Sequence, residues 1–453
     1  MIKTIARRLG IDRAIFYASS ARLFQGAAGV VSVLLVASLL SDVEQGFYYT
    51  FASILAIQLF FELGLGGIIT QFVAHERAHL EELPDGRFVG ADKHLSRLAY
   101  LLRFCVKWYA VLAVGLMVVI TTVGFVFFTK YYNAGGEQVY WEWPWVLLVF
   151  LTAINFVISP ISAYIEGLGK VEQIAKIRLM QQIVSQLLLW GGLLIGFRLF
   201  VVVLAPFSMA VLFLLLGGRQ FGPVLKNLYE IKIREKVCYK TEILPYQWRI
   251  ALSWVSGYFI FQLFNPVLFA TDGAAVAGQM GMTLSILNSL QALALSWVTT
   301  KVPVMSSYIA TGAYENLDLL FNRTLKQMMS LVLSVLLLML GVVIWLDYFQ
   351  ITLFGVLISK RLLPILPMGL MMIALFVNQY IAAVATYLRC HKREPFLVNS
   401  IVGGGLCALS TLLLGKYYGV LGITMGYCAI TVLVLLPWAH RIYVTKKRAW
   451  HQF

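Results

Sequence analysis

His75-Glu76-Arg77-Ala78-His79 fits H-E-x-x-H, the spacing at which one helix offers two imidazoles to zinc and a glutamate to the metal-bound water. Asp85 or His94 would supply the third ligand. Other candidate chemistry lies in apolar surroundings, where an ionisable group is costly and usually faces a cavity or a partner. Four such groups stand out: Arg22, Glu62, Lys107 and Lys301. The guanidinium of Arg22 has the planar fork that matches a diphosphate, and Glu62 would take a proton or cation when that charge leaves. The pair could equally form a plain salt bridge between neighbouring helices. Lys107 and Lys301 lie near the basic ends of their runs, where they either snorkel to headgroups or line a cationic vestibule. Amides and hydroxyls of the kind that bind sugars recur close by: Gln25 in the first apolar run, Gln262 and Asn265 in the seventh, and Asn288 within a serine- and threonine-rich eighth. Such groups also join helices to each other.

The elements that must carry these residues follow from composition. Of 453 residues, 60% are hydrophobic and 13% charged, whereas soluble domains have roughly half and about a quarter. A helix needs about 20 apolar residues to cross a ~30 Å hydrocarbon layer. Twelve runs qualify, near 14–39, 47–74, 101–129, 144–166, 172–196, 199–217, 250–271, 275–302, 326–346, 366–388, 396–415 and 418–438. The expected fold is therefore an all-α, multi-pass membrane protein.

The net charge of +15 reports orientation. With both termini cytoplasmic, 28 of the 36 basic residues fall on the cytoplasmic side and 5 on the other, as the positive-inside rule requires. The partners implied are membrane lipids with anionic headgroups, not nucleic acid. All five cysteines lie in spans or on the basic side, so no disulfide framework is expected. Arg22 and Gln25 interrupt the first run, which reads as a retained span instead of a cleaved leader. Residues 95–109 read as an amphipathic helix lying along the inner surface before it enters the membrane.

A basic loop over 218–249 separates six spans in 1–217 from six in 250–453. Asp42 and Gly46 before the second span correspond to Asp272 and Gly278 before the eighth, and Tyr164 to Lys170 corresponds to Tyr387 to Lys392, all offset by about 222–232 positions. With six spans per unit this is a parallel repeat, and two such bundles enclose a cavity where a transporter's substrate binds.

These landmarks, with Asp42 to Glu76 as the longest continuous stretch, resemble the Wzx-type O-antigen flippases. That group is the polysaccharide-transporter branch of the multidrug/oligosaccharidyl-lipid/polysaccharide (MOP) superfamily. The resemblance implies a V-shaped pair of lobes that moves undecaprenyl-diphosphate-linked oligosaccharides across a bacterial inner membrane for O-antigen assembly. It also implies possible coupling to H+ or Na+ and work alongside a polysaccharide polymerase and chain-length machinery. On that reading the substrate-binding set is Arg22, Gln25, Glu62, Lys107, Gln262, Asn265, Asn288 and Lys301, with no catalytic residue, resident metal or cofactor. H-E-x-x-H then becomes an accident of a solvated basic loop. Two alternatives stay open. One is a cation-coupled multidrug exporter of the same superfamily, which usually needs acids buried in a lobe, where spans 1, 7 and 8 have none in their interior. The other is a membrane enzyme of glycan assembly, a polymerase or ligase, which would place histidines in large outer loops.

Overall fold

The computed structural model describes residues 13–83, 86–132, 138–235, 237–391 and 393–451. Helix α1 is Arg13–Leu39, and the second span is built from α2 (Asp42–Leu55), a 3-10 turn, α3 (Leu59–Glu62) and α4 (Leu65–Arg77). A small hairpin, β1 (Leu80–Glu82) and β2 (Phe88–Gly90), precedes α5 (Asp92–Tyr131). Then follow α6 (Glu142–Gly167), α7 (Val171–Ile195), α8 (Val201–Leu212) and, after a π-helical turn, α9 (Gly218–Glu230). The remainder comprises α10 (Leu244–Phe261), α11 (Phe264–Thr271), α12 (Ala274–Thr299), α13 (Val302–Ala310) and α14 (Tyr314–Tyr348). A two-residue hairpin leads to α15 (Ile365–Arg389), α16 (Leu397–Ala429), a second π-helical turn over Ile430–Leu435 and α17 (Leu436–His451).

Among the described residues, seven helices are long and apolar enough to cross a membrane, and α2–α4 make an eighth if the bent pair counts as one span. One of the seven, Leu397–His451, is two spans. At Gly419 the backbone turns to φ 55°, ψ −140°, a region a side chain rarely adopts. Beyond it Gly422 and Gly426 lie against Leu414 and Ser410, so the chain doubles back on itself. Asp272 caps the return, its Oδ2 accepting the Val420 N–H at 2.9 Å. With α1, α7 and α10–α11, a helical element stands at each of the twelve expected runs.

By packing, the chain falls into two units. The first comprises Met1–Ala28, Leu55–Lys130 and Tyr140–Trp254. Tyr109, Trp145 and Tyr164 fill its centre, all fully buried. The basic loop belongs to this unit and is held, not loose. Ser96 Oγ accepts the N–H groups of Arg234 and Glu235 at 2.7 and 2.8 Å, and Arg103 donates to the Ile231 carbonyl at 2.8 Å. The expectation of a surface-lying segment at 95–109 is corrected: those residues belong to one unbroken 40-residue helix. Leu98, Leu101 and Leu102 are buried, and Tyr164 donates to the Leu98 carbonyl at 3.0 Å. Its apolar stripe packs on protein, which removes the reason to lie in the interface.

The second unit comprises Gly29–Ile54, Tyr131–Val139 and Val255–Phe453. Its fully buried aromatics, among the described residues, are Phe47, Phe51, Phe264, Phe269, Phe321 and Tyr387.

Candidate functional site

In the first unit, the second span comes apart at Glu62. The helix changes to 3-10 geometry at Ala56–Gln58, and Leu63 and Gly64 then adopt left-handed φ values of 48° and 71°. The two parts diverge by 41°. An L-residue in that region costs about 1–2 kcal/mol, and such outliers collect where a site imposes them. Breaks inside membrane spans free backbone polar groups and create the half-helix ends at which transporters hold charge. The Glu62 carboxylate lies over the first turn of α4: a Cβ on Gly66 would sit 3.4 Å from its Oε1. That is the positive end of a helix dipole, which favours an anion. No ion pair to Glu62 occurs among the described residues. The Arg22 side chain lies outside the described residues, so its pairing with Glu62 remains an expectation.

The second unit has milder interruptions, without left-handed residues: the helix lapses into a turn between α10 and α11 at Gln262 and Leu263, and between α12 and α13 at Thr300 and Lys301. Three residues named from sequence chemistry, Glu62, Gln262 and Lys301, thus stand at helix interruptions. Gln262 is half-buried and Lys301 exposed. Asn265 is different. It is buried, and its amide nitrogen donates to Ser53 Oγ at 3.1 Å and toward the Tyr49 carbonyl at 3.5 Å. On span 8 the hydroxyls of Ser289, Ser296, Thr299 and Thr300 bond to carbonyls of their own helix. Asn288 is exposed, as are Gln25 on α1 and Lys107 on α5.

Asn265 belongs to a larger contact, also within the second unit, between the start of the second span and the second half of the sequence. The repeat-related glycines meet there. A Cβ on Gly46 would fall 2.0 Å from the Ala274 carbonyl oxygen, and one on Gly278 2.9 Å from the Gly46 nitrogen. Ala274 and Gly278 are one turn apart, so α2 and α12 approach backbone to backbone over small residues. Gln45 donates to the carbonyls of Gly278 at 2.9 Å and Arg361 at 3.2 Å. Arg361, its side chain 7% exposed, pairs with Asp42 and donates to the Leu40 carbonyl at 2.9 Å. Sequence reasoning missed Arg361, counting it only as a loop charge. The acid at the repeat landmark, Asp42, was the available signal.

The H-E-x-x-H residues form a different structure in the first unit. Glu76 is 3% exposed, so the expectation of a solvated loop is corrected. Its carboxylate takes Arg97 Nε and His94 Nδ1, each at 2.7 Å, and Arg97 reaches on to Glu242 at 2.6 Å. Arg97 thereby holds the Glu242 carboxyl below the usual carboxylate range. His79 stacks on His94 with ring centroids 4.2 Å apart. Both oxygens of Glu76 are engaged, so it is not poised as a general base. Among the described residues no group of three or more His, Cys, Asp or Glu is arranged to hold a metal. Asp85 lies outside the described residues. The cluster ties the end of the second span to the loop before the seventh.

No protein-family model matches the chain, and no curated protein matches it. Solved structures do. A multidrug-resistance MATE transporter of the MOP superfamily, inward-facing, superposes with a TM-score of 0.63 at 15% identity over 95% of this chain and 99% of that one. The lipid II flippase MurJ gives 0.61 at 12% identity over 96% and 90%. A MOP-superfamily transporter from Pyrococcus furiosus gives 0.54 at 14% identity over 96% and 95%. The fold is the one these membrane transporters have.

Proposed function

We propose that this chain is a flippase for undecaprenyl-diphosphate-linked oligosaccharides in a bacterial inner membrane, with both termini cytoplasmic. The observation that carries the reading is the polarity of the spans. Glu62 is the one carboxylate within the interior of the apolar runs, and it sits at a helix break. Amides and lysines are prominent among the other polar groups at interruptions and on open helix faces: Gln25, Gln262, Asn288, Lys107 and Lys301. Lysines suit a diphosphate, uncharged amides suit sugar hydroxyls, and a lone carboxylate suits a coupling H+ or Na+. Arg22 joins the diphosphate-binding set from its place in the sequence. Asn265 contributes through helix packing.

A cation-coupled drug exporter is the second reading. The observation favouring it is the same carboxylate, which would attract an organic cation. Proteoliposomes separate the two. A fluorescent lipid-linked oligosaccharide should become accessible from the opposite leaflet only with the protein present, and Glu62→Gln should slow this by about tenfold or more. Cation uptake without movement of the lipid-linked sugar would refute the flippase reading.

A further inference from the structure

A groove of about 570 Å³ opens in the second unit between α14, α15 and α17, lined by none of the groups discussed above. Met329, Phe376, Val377, Leu436 and Pro437 line it, with Tyr380 and His440. The walls are almost wholly apolar. Its one polar feature is a hydrogen bond between Tyr380 Oη and His440 Nδ1 at 2.7 Å. All three helices belong to stretches that are long and apolar enough to cross a membrane, and such walls suit a mouth that opens to lipid.

Its position follows from the sequence. Met329 lies three residues past Lys326, Tyr380 nine residues before Arg389, and His440 directly before Arg441. At 1.5 Å per residue the groove therefore runs from the basic ends of these helices past Tyr380 to Phe376, thirteen residues before Arg389 and roughly 20 Å deep. Directly before α17, Ile430–Leu435 is π-helical. One-turn π segments are rare, widen the backbone and gather at functional sites. Beyond the groove, α17 carries Arg441 and Arg448, both exposed and seven residues apart, hence on one face. An apolar slot in lipid that ends at a cationic face has the polarity of a lipid with one chain and an anionic headgroup.

We propose that this groove binds an anionic phospholipid, one acyl chain lying along Val377 and Leu436 and the phosphate meeting Arg441. The Tyr380–His440 pair marks the boundary between the two regions. Such a lipid fills a space that would otherwise leave the lining without contacts, and it ties α17 to α14 and α15.

The probe is a phosphatidylglycerol with a photoactivatable diazirine on one acyl chain, in nanodiscs of phosphatidylcholine that hold the full-length protein. Adducts, mapped by mass spectrometry, should concentrate on Met329, Phe376–Tyr380 and Leu436–Pro437, and unlabelled phosphatidylglycerol should compete better than phosphatidylcholine. Val377→Trp excludes about two methylenes of chain and should lower groove adducts about tenfold, leaving adducts elsewhere unchanged. Met329→Trp fills the slot from its exposed side and gives the same readout if Val377→Trp does not fold. Arg441→Gln should abolish the headgroup preference while keeping the adducts. Adducts spread evenly over the lipid-facing helices, or groove adducts that persist in both tryptophan variants, would overturn the proposal. Stronger competition by a polyprenyl phosphate than by phosphatidylglycerol would also overturn it, by making the occupant an isoprenoid chain.

Discussion

Replacing Arg361 by Met should loosen the contact between the start of the second span and the second half of the chain. The size of the effect comes from what the guanidinium does. It donates to the Leu40 carbonyl at 2.9 Å from a side chain only 7% exposed, and a hydrogen bond to a charged group contributes about 1.5–3 kcal/mol. Its ion pair to Asp42 is worth less, because that carboxylate is 66% exposed and solvent screens it to about 0–1 kcal/mol. Methionine keeps the apolar stem, so the loss is close to the polar part alone, about 2–3 kcal/mol, or roughly 30- to 150-fold in the population of the parted arrangement. Thr50, one helical turn beyond Gly46 on α2, is fully buried and serves as the reporter. In a background whose only cysteine is Thr50→Cys, a membrane-impermeant maleimide should label slowly. Arg361→Met should speed labelling by the factor above, and Asp42→Asn by no more than about fivefold. If Asp42→Asn matched or exceeded Arg361→Met, the assignment of the energy to the buried hydrogen bond would be wrong. If neither changed the rate, the contact would not be what covers Thr50.

Three further outcomes are expected. Gly46→Val has no room beside the Ala274 carbonyl, so the Thr50→Cys reporter should label faster in it too; unchanged labelling would mean that α2 shifts without parting from α12. Leu63→Gly removes a left-handed leucine and should stabilise the purified protein by about 1 kcal/mol, read as a higher unfolding temperature; a lower one would show that packing of the Leu63 side chain outweighs its backbone strain. His391 and His451 lie with their Nε2 atoms 3.3 Å apart where α17 meets the end of α15, and burial pushes both below the ordinary histidine range. A depressed histidine favours the folded state while neutral. The stabilisation is therefore complete above about pH 6.5 and lost as pH falls through the folded-state values. Tryptic cleavage after Lys446 or Lys447, corrected for the enzyme's own pH profile, should accelerate on acidification below that point, and His391→Gln should flatten the response.

The number of helical spans and their positions were legible in the sequence. Each depends on how a local stretch partitions between water and hydrocarbon, and no tertiary partner is needed to decide it. The repeat was read from Asp42 with Gly46 and Asp272 with Gly278, pairs offset by 230 and 232 positions whatever they touch. What those residues do was not legible. Asp42 pairs with Arg361, while its counterpart Asp272 caps the helix that starts at Val420. Two equal sequence signals receive unequal partners from segments more than a hundred residues away. Glu76 shows the same limit: its motif suggests catalysis and its loop suggests solvent, yet Arg97 and Glu242 make it a buried strut. The break at Leu63–Gly64 had a faint trace in the glycines that follow Glu62, but the sequence could not say which peptide would turn left-handed. Hydropathy is a sum over neighbours in the chain and survives without the fold. Ion pairs, backbone-to-backbone glycine contacts and strained turns are settled by what arrives from elsewhere, and only the tertiary structure brings it.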